Sequence, residues 1–194
     1  MKTKKTIFII PGFGQQVKDE YYNWLMRFVK KKGFVAKAVP IQWNRRVMSD
    51  YIQDFKEFYK KNKTNNDYFF GFSYGAVIAF SNATELKPKK IYLCSLSPDF
   101  NEDLVYMEPW IKKLLGKNRI ADIKLRSARE IAKKLSVPSL VFYGEVEGKK
   151  FPDLKKRCEE TVKLAKNSKL VLVKDSPHDI NNFNYVEAIK KEFK

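Results

Sequence analysis

Short apolar runs alternate with amphipathic segments from one end of the chain to the other, and this alternation limits the fold more than any other feature. Six runs read as strands: Thr6–Ile10, Phe34–Ile41, Asp67–Phe72, Lys90–Ser95, Val137–Tyr143 and Lys169–Val173. The first is continuously apolar after Thr6 rather than alternating, as expected of a strand buried on both faces. Between the runs lie segments with apolar residues three and four apart. Lys18–Lys32 carries Tyr22, Leu25, Met26 and Val29, with Gly33 as its stop. Ser49–Lys61 carries Ile52, Phe55, Phe58 and Tyr59, with Ser49 or Asp50 as N-cap. Tyr74–Leu86, Asp153–Ala165 and Tyr185–Phe193 complete the set. Such a pattern specifies an α/β fold, a largely parallel six-stranded sheet with helices on both faces. Ligands on such sheets bind at the carboxyl ends of the strands.

No repeat, Pro/Gly/Ser linker or low-complexity tract divides the chain, so residues 1–194 read as one domain. The connection over 97–136 is longer than a crossover requires and holds two helix-like stretches. In it Met107, Trp110, Ile111 and Leu114 make one apolar helical face. That face either packs on the sheet or forms a small cap over the strand ends.

At 194 residues the chain can bury one substantial core, and its 44% hydrophobic and 14% aromatic content excludes a disordered protein. No stretch approaches the ~20 apolar residues of a membrane span. The N-terminus is basic (Lys2, Lys4, Lys5), but the apolar run Ile7–Ile10 is shorter than the ~7–15 residues of a signal-peptide core. A cytoplasmic location is the default expectation. Cys94 falls in a predicted strand and Cys158 in a predicted helix without CxxC spacing, so neither a metal site nor a disulfide is expected. The formal charge of +17 raises the alternative of a nucleic-acid or anionic-surface binder. Against it, the lysines are scattered over every predicted helix and turn, no nucleic-acid motif accompanies them, and lysine far outnumbers arginine. The charge reads as a solvated surface, with no nucleic-acid partner expected.

Residues 71–75 read Gly71-Phe72-Ser73-Tyr74-Gly75, after an apolar strand and before a small-residue run that opens a helix. A serine at the tip of a sharp strand-to-helix turn needs glycine two positions to either side, because side chains there would collide. The turn lifts the hydroxyl above the sheet and sets the unpaired N–H groups of a helix N-terminus beneath it. Pro11-Gly12-Phe13-Gly14 follows the first strand. The N–H of Phe13, together with that of Tyr74, would provide the two donors that acyl transfer requires for its oxyanion. The one histidine, His178, lies in a loop after the sixth strand, C-terminal to Ser73, where a general base for the serine belongs in this chain order. An acid to orient it is expected after the fifth strand, where Tyr143-Gly144-Glu145-Val146-Glu147-Gly148 offers Glu145 and Glu147; Asp153 and Asp99 lie further off.

On these residues the chain resembles the α/β-hydrolase family over nearly its whole length, through the turn at 11–14, the elbow at 71–75, the acid loop at 144–147 and the histidine loop at 177–180. Small members with little lid are the nearest likeness. The resemblance implies the sheet order 2-1-3-4-5-6 and a serine hydrolase of small ester-type substrates that needs no metal or organic cofactor. It assigns Ser73 as nucleophile, His178 as base and Glu147, three after Gly144, as acid, with Glu145 the alternative. Two departures stand out. Pro11-Gly12 replaces the common His-Gly opening, and the family's two N-terminal antiparallel strands are missing. An α/β-hydrolase-like protein that binds a ligand or partner without turnover is the alternative within the same fold.

Overall fold

The strands β1 (Lys5–Ile10), β2 (Phe34–Ala38), β3 (Asp67–Phe72), β4 (Lys90–Cys94), β5 (Ser139–Gly144) and β6 (Ser168–Val173) form one sheet in the order β2-β1-β3-β4-β5-β6. Every neighbouring pair is parallel. The structure is a computed structural model and describes residues 4–18, 20–44 and 46–193. The helices are α1 (Asn23–Lys31), α2 (Met48–Asn62), α3 (Tyr74–Leu86), α4 (Pro109–Ile123), α5 (Ala128–Lys134), α6 (Glu145–Lys150), α7 (Pro152–Leu164) and α8 (Phe183–Glu192).

The continuous apolar runs have a direct cause. In β1, Ile7 and Ile9 enter one core with Leu25 and Val29 of α1 and Tyr185 and Ile189 of α8. Phe8 and Ile10 enter a second core with side chains of α2, α3, α5 and α7. On that second side Phe8 meets Phe55, Tyr59 and Phe69 edge-on, a geometry worth ~0.5–1.5 kcal/mol per pair beyond area burial. Helix α3 is buried without interruption from Gly75 to Phe80; its small residues (Gly75, Ala76, Ala79) let it lie against the sheet behind the elbow. The register pairs Ile10 with Gly71 and Phe72 with Cys94. The ends of β1, β3 and β4 are therefore level, and the segments after them begin side by side.

Element boundaries depart from the sequence reading where side chains intervene. β2 stops at Ala38 rather than Ile41. Val39 still donates to the Ile9 carbonyl at 3.0 Å, but Pro40 has no N–H to continue the ladder. The helix expected from Lys18 begins as a 3-10 turn over Glu20–Tyr22 and becomes α-helical at Asn23. Tyr22 is drawn inward there, its hydroxyl accepting from Gly12 N–H at 2.9 Å and donating to Gln15 Oε1 at 2.7 Å. Asp19 within that expected helix, and Lys2 of the basic N-terminus, lie outside the described residues. Neither Ser49 nor Asp50 is the N-cap of α2. Val47 is, and the Asp50 carboxylate takes the Val47 N–H at 3.1 Å.

The 97–136 connection does carry two helices, but α4 is broken at Gly116 (φ 76°, ψ 166°). The apolar helical face expected there does not form as read: Met107 lies before α4, it and Ile111 are half-buried, and Trp110 and Leu114 are exposed. Two buried arginines hold the connection in place. Arg126 binds it internally through Asp99 at 2.8 Å and Asp122 at 2.5 Å and reaches Ser49 Oγ of α2 at 3.1 Å, and Arg157 of α7 bonds Asp103.

Candidate active site

Ser73 sits at φ 54°, ψ −119°, between the last residue of β3 and the first of α3. Non-glycine residues rarely occupy this region, at a cost on the order of 1–3 kcal/mol. The two flanking glycines make it attainable. A Cβ on Gly71 would lie 2.3 Å from the Gly75 carbonyl oxygen, and one on Gly75 would lie 2.2 Å from that of Ile10. The Ser73 N–H donates to the Cys94 carbonyl at 2.8 Å, tying the elbow to the end of β4. Ser73 Oγ lies 3.2 Å from Ser97 Oγ.

His178 and Glu147 are brought together from separate strand ends. The loops after β5 and β6 interlock, since Glu147 N–H donates to the Ser176 carbonyl at 3.1 Å and a Cβ on Gly144 would stand 2.1 Å from that same oxygen. Glu147 is buried, and each carboxylate oxygen has partners. Oε1 meets Nδ1 of His178. Oε2 accepts from the Gly144 N–H and from the Ser95 hydroxyl, both at 2.9 Å. An ionised carboxylate only accepts, so with Glu147 ionised Nδ1 is the donor in this contact, and Nε2 is left for other contacts. Phe72 flanks the imidazole at 4.9 Å and Phe151 meets it at 6.3 Å between ring centroids. Ser95 itself adopts φ 54° and also meets the buried Tyr185 hydroxyl at 2.9 Å. The supposed acid loop is helical: Glu145 and Glu147 lie on the first turn of α6.

The other acids serve elsewhere. Glu145 pairs with Lys149 at 3.0 Å, and that ammonium holds its carboxyl below the usual range. Asp99 is bound to Arg126; burial pushes its carboxyl up to about 6 against that charge. Asp153 lines the cleft, and no hydrogen bond among the described residues joins it to the imidazole. Phe13 and Tyr74 stand together, ring centroids 5.6 Å apart, with Trp43 edge-on to Phe13 at 5.5 Å. Neither of their N–H groups has a partner among the described residues, whereas the Gly12 N–H is taken by Tyr22. Burial, and then the nearby Asp99 charge, push the Tyr74 phenol up to about 12.

Ser73, Ser97 and His178 open onto one cleft of about 430 Å³. Met107, Ile111 and Leu115 make its apolar wall, and Phe151 and Leu154 face them. Ser95 and Ser97 were not anticipated. Their only trace in the sequence is a pair of small polar residues directly after an apolar strand, at a carboxyl end. Both cysteines are buried and free.

No model of a known protein family matches the chain, and no curated protein matches it in sequence. Solved structures do match in shape. Est1E from Butyrivibrio proteoclasticus superposes with a TM-score of 0.78 at 15% identity, covering 97% of this chain and 86% of the other. An esterase from Pyrococcus furiosus gives 0.71 at 18% identity, covering 99% and 81%. A lipase-esterase related protein from Clostridium acetobutylicum gives 0.69 at 16% identity, covering 99% and 94%. With the all-parallel sheet, its strand order and the elbow after β3, the chain has the α/β-hydrolase fold.

Proposed function

We propose that the protein is a serine hydrolase that cleaves a small ester-type substrate (a carboxylic ester, thioester or lactone) through an acyl-enzyme. The observation that carries this reading is the Glu147–His178 pair: a buried carboxylate on α6, fixed by two further donors, bonds Nδ1 of an imidazole that opens onto the same cleft as a strained Ser73. An imidazole oriented in this way presents its basic Nε2 for proton transfer.

In this reading Ser73 Oγ attacks the substrate carbonyl while His178 Nε2 takes the hydroxyl proton. The negative oxygen of the tetrahedral intermediate is held by the N–H groups of Phe13 and Tyr74, which have no other partner among the described residues. Collapse returns the proton to the leaving oxygen or sulfur. Water, deprotonated by the same Nε2, then releases the acid and restores Ser73. Glu147 does not exchange protons; it orients the ring and stabilises its cationic form.

The 97–136 connection acts as a small cap, and with a cleft of about 430 Å³ it suits a short to medium acyl group. A series of p-nitrophenyl esters tests the reading. Turnover should peak at roughly two to eight acyl carbons, because each buried methylene adds ~0.8 kcal/mol only while the cleft has room. Ser73→Ala and His178→Ala should each lose several orders of magnitude while the protein stays folded. A preference for sixteen-carbon esters would contradict the acyl assignment, and full activity in Ser73→Ala would contradict the mechanism.

A further inference from the structure

Lysine is spread over most of this surface, but beside the cleft mouth it is interleaved with large apolar side chains that nothing covers. On the connection leading into α4, Val105 is 73% exposed and Tyr106 48% exposed; on α4, Trp110 is 66% and Leu114 78% exposed. Trp110 and Leu114 are four residues apart and so share a helical face. The neighbouring face of the same turns, Ile111 and Leu115, lines the cleft. The apolar strip therefore runs along the outside of the cleft wall.

Cations border this strip. Lys112, Lys113 and Lys117 lie on α4, with Glu108 as the acid at its start. Lys156 of α7 stacks over the Tyr106 ring at 3.5 Å, and Lys150 lies 5.4 Å over the half-exposed Phe151 ring, where Lys150 and Phe151 both line the cleft. Both ammonium groups thus stand on aromatic faces at the rim. Exposed Trp and Leu side chains bordered by lysines form a surface suited to contact with a lipid interface. The aromatic rings reach headgroup depth and the lysines meet anionic headgroups. A nucleic acid would meet the lysines but would leave Val105 and Leu114 exposed, and forked phosphate contacts favour arginine, which is scarce here.

We propose that the cleft mouth seats on the surface of an anionic phospholipid bilayer, with Trp110 and Leu114 entering the interface and Lys112, Lys113 and Lys156 facing the headgroups. The protein lies on the membrane and does not span it, for among the described residues no helix is long and apolar enough to cross. Docked in this way, the cleft opens at the interface, where a small amphiphilic ester concentrates. The docking itself does not depend on the catalytic reading and is tested without any substrate.

The test is co-sedimentation of purified protein with vesicles of phosphatidylcholine alone and of phosphatidylcholine with phosphatidylglycerol in equal parts, at low and high salt. Wild type should bind the anionic vesicles, leave the neutral ones, and weaken as salt rises. W110S/L114S should weaken binding at least tenfold, and K112Q/K113Q by about fivefold for each lysine. Both variants should melt like wild type, since Trp110, Leu114 and Lys113 are exposed and Lys112 is only half-buried. Binding to anionic vesicles that is absent at low salt, or equal in W110S/L114S and wild type, would overturn the proposal. Tighter retention on duplex DNA or RNA than on the anionic vesicles, unchanged in W110S/L114S, would overturn it in favour of a nucleic-acid partner.

Discussion

Glu147 bonds Nδ1 of His178 from a buried position, whereas Glu145, two residues earlier on the same turn of α6, is one-third exposed, pairs with Lys149 at 3.0 Å and accepts from the Asp175 N–H at 3.4 Å. The separation follows from helical geometry, because positions two apart face different sides. It makes opposite predictions for two chemically identical changes. Glu147→Gln should lower kcat by roughly 10²–10⁴-fold, because the amide can donate to Nδ1 and so favours the wrong ring tautomer. Glu145→Gln should leave kcat within about twofold, as expected for a solvated ion pair. Steady-state kinetics on a soluble short ester decides between them. The reverse ranking would move the orienting role to Glu145.

The elbow glycines are held by sterics rather than by a need for positive φ. Gly75→Ala would place a Cβ 2.2 Å from the Ile10 carbonyl oxygen, at the end of a central strand. It should cost about 3 kcal/mol or more, as overpacking does where backbone must shift. Gly33, at φ 84° with no atom within 4 Å of a built Cβ, makes the control. Gly33→Ala should cost only about 1–2 kcal/mol, the penalty of a left-handed conformation. Urea unfolding of the two variants measures the difference, and equal losses would remove the steric account.

Much of this was legible in the sequence, and the part that was not has physical causes. Continuous apolar runs identify strands buried on both faces, and chain order places Ser73, the Glu145 and Glu147 candidates and His178 after β3, β5 and β6, with only the family resemblance selecting Glu147. Periodicity could not tell which apolar residues of α4 meet protein. Met107, just before α4, and Ile111 line the cleft while Trp110 and Leu114 are exposed, a difference set by how the helix docks and not by its period. Helix α6 has only six residues and contains Gly148, too short for a period to show. Ser95 and Ser97 act through partners 52 and 24 residues away, Glu147 and Ser73, so no local pattern marks them.

Asp99 gives a pH dependence of stability with a defined sign. Burial raises its folded carboxyl from the ordinary 3.8 to about 6, with Arg126 opposing. The native state therefore holds the proton more tightly than the unfolded chain between these values. Its contribution to stability is most favourable below about 4 and is lost as pH rises through about 6. The full span is on the order of 3 kcal/mol at 1.36 kcal/mol per unit. Asp99→Asn removes the titration, so the variant should gain on wild type as urea unfolding is repeated from acid to neutral pH. The change in the difference with pH is diagnostic, whatever the constant offset from altering the Arg126 contact. Parallel curves, or a variant that loses ground as pH rises, would contradict the assignment.

In the proposed mechanism Ser73 is an activated nucleophile, which opens it to covalent capture. Purified wild-type protein incubated with a fluorophosphonate should acquire one adduct, and mass-spectrometric mapping should place it on Ser73, with Ser73→Ala unlabelled. Activation by an oriented imidazole is what makes a serine react, since an ordinary hydroxyl does not. Absence of labelling in folded wild type, or an adduct on Ser97 or another serine that persists in Ser73→Ala, would contradict the role of Ser73 as nucleophile.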